Sequence, residues 1–94
     1  MITRIVKMTF QEGKEKDFLK IFQENENKIK NFEGCTHLEL LRDVNQSNVF
    51  FTYSYWKSEE DLKKYRDSEL FEKVWAKTSL LFSEKAEAWS LTKQ

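Results

Sequence analysis

The 94-residue chain is expected to fold as one α+β domain spanning residues 1–94: a four-stranded antiparallel sheet with its helices on one face, in the order β-α-β-β-α-α-β. Three observations predict it. Residues 49–57, V-F-F-T-Y-S-Y-W-K, pack β-branched and aromatic side chains into a run too short for an average helix. On either side of that run, stretches with helical spacing of apolar residues alternate with stretches of period two. Finally, neither alternate set of the run, Val49/Phe51/Tyr53/Tyr55 or Phe50/Thr52/Ser54/Trp56, is the charged row of a solvated sheet face. Both faces of this strand need cover. A chain this short has helices for one face only, so the other face predicts a second copy and a homodimer.

Residues 2–10 alternate Ile2/Arg4/Val6/Met8/Phe10 against Thr3/Ile5/Lys7/Thr9, a strand that ends at Gln11-Glu12-Gly13. Over residues 14–32 the period changes: Phe18, Ile21, Phe22, Asn25, Ile29 and Phe32 recur at helical spacing, with Glu24/Lys28 and Glu26/Lys30 as i,i+4 pairs on the outside. Gly34 is placed to take the left-handed conformation that closes this helix. Residues 35–43 form the second strand, and the polar residues 44–48 make a hairpin connection to the third. Ser58-Glu59-Glu60-Asp61 has the capping-box pattern and predicts a short helix to about residue 67. Ser68 can cap again, and Leu70, Phe71, Val74, Trp75, Thr78, Leu81 and Phe82 give the next helical stripe before residues 86–92 return to an extended pattern. That order is the split βαβ arrangement of ferredoxin-like folds, and pairing two bare sheet faces would make a dimeric α/β barrel.

Composition narrows the function. Sixteen Lys plus Arg balance sixteen Asp plus Glu, leaving no net charge to recruit nucleic acid or anionic lipid. Cys35 is the single cysteine, which rules out an intrachain disulfide or a cysteine-based metal cluster and makes a reducing, cytoplasmic setting the default. The first seven residues lack the apolar core of a signal peptide, and no run approaches membrane-spanning length. No metal site is expected.

F-T-Y-S-Y-W-K-S-E-E-D-L at residues 51–62, followed by Y-R-D-S-E-L-F at residues 65–71, is similar to the antibiotic biosynthesis monooxygenase family of dimeric α/β barrels. The likeness runs over nearly the whole chain, through the Gly13 turn, the Phe18/Phe22 helix, the F-E-G-C turn at residues 32–35 and the tryptophan that ends the third strand. The haem-degrading branch of that family pairs such a tryptophan with a first-strand asparagine and a helix histidine; here those positions fall near Val6 and Trp75, so an iron-ligated haem is not expected. The resemblance then implies the cofactor-free branch, in which an aromatic pocket binds a phenolic or quinol-like substrate and lets its anion meet molecular oxygen. A non-catalytic dimeric module that binds a small ligand is the alternative.

Within that expectation, Trp56 is either a packing residue at a strand end or the flat wall of the pocket. Phe22 and Trp75 on the helix stripes would exclude water from it. His37, the only histidine, is the natural general base if it faces inward, and a surface residue otherwise. Arg66 or Asn25 would hold the oxyanion, against the plainer readings of a solvated arginine and a core-edge amide. Tyr65, beside Arg66 among charged neighbours on the short helix, is either a solvated side chain or a further substrate contact, whereas Tyr53 and Tyr55 read as a dimer-interface row and Cys35 as a small buried hydrophobe.

Overall fold

In the computed structural model, which describes residues 1–94, β1 (Ile2–Thr9), α1 (Glu15–Lys30), β2 (Cys35–Arg42), β3 (Val49–Trp56), α2 (Glu59–Arg66), α3 (Glu69–Ser79) and β4 (Glu87–Leu91) follow in the expected order. The strands form one antiparallel sheet in the spatial order β2-β3-β1-β4, so the sequence's most aromatic strand lies inside it beside the first. Directly opposed residues share a face. One face therefore carries Met8 with Phe50, Val6 with Thr52 and Arg4 with Ser54 beneath the helices. Phe10, Phe18 and Phe50 interlock there, with ring centroids 4.3 Å apart for Phe10–Phe18 and 5.2 Å for Phe18–Phe50. Phe22 and Ile29 extend the same buried cluster along α1. No helix is long and apolar enough to cross a membrane.

The opposite face has no helix on it. Its rows are Leu41–Phe51–Lys7–Glu87, Glu39–Tyr53–Ile5–Trp89 and His37–Tyr55–Thr3–Leu91 across β2, β3, β1 and β4. Seven of those twelve side chains are aliphatic or aromatic, and Leu41, Trp89 and Leu91 stand 42–48% exposed.

Two serines set the helix starts. Ser58 Oγ accepts the Asp61 amide at 3.2 Å, and Ser68 Oγ accepts the Phe71 amide at 3.1 Å while donating to the Tyr65 carbonyl at 2.6 Å. One hydroxyl thus closes α2 and opens α3, which brings the Tyr65 and Phe71 rings edge to face at 5.2 Å. The third helix stops at Ser79, short of the expected Phe82. Past it, the backbone leaves the helix to extend the pairing at the end of β1: Phe10 bridges Phe82, the Gln11 amide donates to the Leu81 carbonyl at 2.9 Å and the Ser83 amide to the Thr9 carbonyl at 2.9 Å. Of the two surface pairs expected on α1, Glu26–Lys30 closes at 3.4 Å and Glu24–Lys28 does not.

Gly34 has φ +89° at the entry to β2, and a Cβ on it would overlap the Asp61 side chain at the start of α2. Glycine is required twice over, by handedness and by space. Gly34→Ala is expected to lower the unfolding free energy by about 2 kcal/mol or more, read from the urea midpoint; a midpoint equal to wild type would show that this turn relaxes freely.

Candidate functional site

A cavity of about 300 Å³ lies between the sheet and the helices, at the small end of the roughly 300–1,000 Å³ range of ligand sites. It exists because the sheet beneath it steps down in size: Val6 is flanked by Thr52 on one side and Ala88 on the other, which leaves a trough that the helix side chains span without filling. Trp56 closes one end. Its indole is 1% exposed and its Nε1–H donates to Ser54 Oγ at 3.0 Å, so the ring is fixed in orientation. Tyr65 stacks on it with centroids 4.9 Å apart and an interplanar angle of 24°. Phe32, displaced beyond the end of α1, meets Tyr65 edge-on at 5.3 Å and backs this wall. A second stacked pair, Phe71 and Trp75, lies 5.6 Å apart at 11° along α3.

Phe22, Trp56, Tyr65, Arg66 and Trp75 of the sequence-derived candidates all line this one cavity. His37 and Asn25 do not. The alternation of β2 is broken by a register irregularity between Cys35 and His37: Cys35 pairs with Trp56 of the helix-covered face, while His37 pairs with Tyr55 of the uncovered one. The His37 ring therefore sits 5.1 Å from that of Tyr55, and its Nε2 lies 3.6 Å from a Glu39 carboxylate oxygen, across the sheet from the cavity. The expectation of an inward-facing histidine base is corrected on that ground. Asn25 is half-buried, but its amide donates to the Ile21 carbonyl one turn back at 2.8 Å, so it satisfies its own helix instead of reaching a ligand.

Sequence reasoning missed Arg4. It occupies the otherwise apolar row Ile2/Val6/Met8/Phe10, and that anomaly was the available signal. Its Nη1 donates to Ser90 Oγ of β4 at 2.8 Å. Burial, and then the like charge of Arg66, pull its pKa below the ordinary arginine value. The guanidinium stays charged all the same. Burial pushes the Tyr65 phenol well above its usual range, so it stays protonated at neutral pH and acts as hydroxyl and ring, not as phenolate. Thr78 hydrogen-bonds back to the Val74 carbonyl at 2.7 Å and is occupied there.

The lining contains no carboxylate, imidazole or thiol. What it can do is bind a flat apolar body, exclude water, and stabilise an anion at two guanidinium groups. An iron-ligated haem does not fit these donors, because Val6 and Trp75 line the cavity, His37 lies on the far face, and nowhere in the chain do three or more His, Cys, Asp or Glu side chains gather to hold a metal.

The split βαβ sheet, the aromatic-walled cavity under its helices and the bare apolar face together define a ferredoxin-like α+β domain with a ligand-sized site. The chain belongs to the antibiotic biosynthesis monooxygenase family, whose model matches residues 1–77. Solved structures share the fold at low identity. A conserved protein from Methanosarcina mazei Go1 superposes with a TM-score of 0.93 at 18% identity, covering 100% of this chain and 94% of that one. A protein named as an antibiotic biosynthesis monooxygenase gives 0.93 at 14%, covering 100% and 99%. A protein from Pseudomonas aeruginosa gives 0.87 at 17%, covering 99% and 93%. No curated protein matches the sequence.

Proposed function

We propose that this protein is a homodimeric, cofactor-independent oxygenase that oxidises a small phenolic or quinol-like aromatic with molecular oxygen in the cavity between sheet and helices. The observation that carries this reading is an aromatic-lined cavity whose only charged lining groups are arginines. The substrate ring lies against the Trp56/Tyr65 wall, and Phe22 and Trp75 keep solvent from its reacting carbon. Arg66 favours the ionised form by a charge-assisted hydrogen bond to the phenolic or enolic oxygen. The proton leaves to water at the mouth, since the lining offers it no carboxylate or imidazole. The electron-rich anion then gives one electron to oxygen, the radical pair recombines to a hydroperoxide, and loss of water leaves a carbonyl. For an anthrone-type substrate the balance is one ring methylene and one dioxygen molecule in, one ring carbonyl and one water out: both methylene hydrogens leave in the water, one oxygen atom stays on carbon, and the substrate carbon supplies all four electrons.

Metal-stripped protein is expected to consume oxygen with a panel of hydroquinones and anthrones at neutral pH. Arg66→Gln should cut the rate about tenfold, the loss of one partly solvated charge-assisted bond, whereas His37→Ala should stay within about twofold of wild type. Uptake no faster than buffer across the panel would leave the second reading, a dimeric module that binds a small ligand without turning it over. That reading is favoured by one specific observation, the lack of any strong proton acceptor in the cavity.

A further inference from the structure

Arg4 and Arg66 face one cavity from opposite sides, Arg4 from the sheet floor on β1 and Arg66 from the last turn of α2. Neither takes part in an ion pair: the acidic partners in the fold go to Lys14, Lys30, His37, Lys63 and Lys73. Arg4 spends one N–H on the neutral Ser90 hydroxyl, and a guanidinium carries five. Both arginines line the same apolar trough, and no carboxylate lines it with them. Two guanidiniums lining an otherwise apolar cavity that contains no carboxylate offer charge-assisted donors to an anion that comes from outside.

We propose that Arg4 and Arg66 form an anion clamp, and that the ligand of this cavity is an aromatic acid: a flat apolar ring system carrying a permanent oxyanionic group, carboxylate or phosphate, at the end held by the two guanidiniums. Ser90 holds one edge of the Arg4 fork and leaves its other N–H groups unspent. Burial, and then the repulsion of Arg66, hold the Arg4 pKa down, and an anion seated between the two guanidiniums offsets both. The proposal rests on the cavity being a ligand site and narrows its substrate class from any phenol to one with a permanent charge.

The test is binding of three probes of one ring size to the full chain at neutral pH, followed by quenching of tryptophan fluorescence: 1-naphthoate, 1-naphthyl phosphate and the neutral 1-naphthalenemethanol. Either anion should bind about tenfold to a hundredfold tighter than the alcohol, and the order of the two anions assigns the head group. Arg4→Gln and Arg66→Gln should each remove most of that preference while leaving alcohol affinity within about twofold. Arg4→Lys should restore part of it, because charge returns without the fork. Arg66 is exposed at a helix end, so Arg66→Gln serves even where Arg4→Gln fails to fold. An alcohol that binds as tightly as both anions overturns the clamp, as does an equal loss of alcohol and anion affinity in the Arg66 variant. Anion preference without oxygen uptake leaves the clamp standing and removes the oxygenase; uptake with neutral hydroquinones but no anion preference does the reverse.

Discussion

Trp56→Ala is expected to cost about 3–5 kcal/mol of unfolding free energy, the range for truncating a fully buried tryptophan. The side chain is 1% exposed, stacks on Tyr65, meets Phe32 edge-on at 6.5 Å and holds Ser54 through its indole N–H, so its removal empties one end of the cavity and undoes three contacts together. At roughly 4–8 °C per kcal/mol for a domain of this size, the melting temperature should fall by more than about 12 °C at fixed protein concentration. Trp56→Phe keeps most of the apolar volume and should recover over half of the loss. Ser54→Ala leaves the buried indole N–H unpartnered and should cost about 1–3 kcal/mol alone. A Trp56→Ala loss under about 1 kcal/mol would mean that the neighbouring rings collapse into the space, and the fixed aromatic wall would have to be abandoned. The same variant should bind naphthalene-type ligands weakly or not at all, since the wall they lie on is gone.

How much of this was legible beforehand follows from where each signal resides. Element order was readable because the change from period two to helical period is local: Phe18/Phe22/Ile29 and Val74/Trp75/Thr78 announce their helices within a single stretch of chain. Phe22 and Trp75 were found for the same reason, as large apolar residues on helix stripes, whereas Trp56 was singled out as the tryptophan that ends the third strand and Tyr65 only as the neighbour of Arg66. His37 stood open between an inward base and a surface residue because alternation groups it with Glu39 and Leu41 without saying which set the helices cover; the pairing with β3 settles that, and the irregularity at the start of β2 moves only Cys35 to the covered face. Arg4 was passed over because its meaning lies in the pairing of β1 with both β3 and β4, which places Ser90 on one side and Ser54 on the other. Non-local pairing of that sort leaves no trace in spacing. The early end of α3 is of the same kind, since Leu81 and Phe82 keep helical spacing but their backbone is claimed by the end of β1.

Ile5→Asp is expected to convert the protein from a dimer to a monomer. Ile5 sits in the central row of the uncovered face, opposite Tyr53 on β3 and Trp89 on β4, with Phe51, Tyr55, Leu41 and Leu91 in the flanking rows. A contiguous apolar surface of that extent is rarely left to water, and a two-fold axis through it would place the same row of each copy against the other. In the lone subunit a carboxylate at this position faces solvent and costs no more than the strand preference, about 1 kcal/mol. In the paired sheets it would be taken out of water between apolar rows, which costs about 3–5 kcal/mol, and a symmetric dimer carries two of them. The dissociation constant should therefore rise by at least about a hundredfold to several thousandfold. Light scattering after size exclusion at micromolar concentration should give twice the 11.4 kDa chain mass for wild type and the single mass for the variant. Val44→Asp, at a hairpin position 96% exposed, is the matched control and should remain dimeric. Wild type eluting at the single mass would remove the sheet-to-sheet dimer, and Ile5→Asp eluting as a dimer would move the interface to another surface, leaving the uncovered face without an explanation.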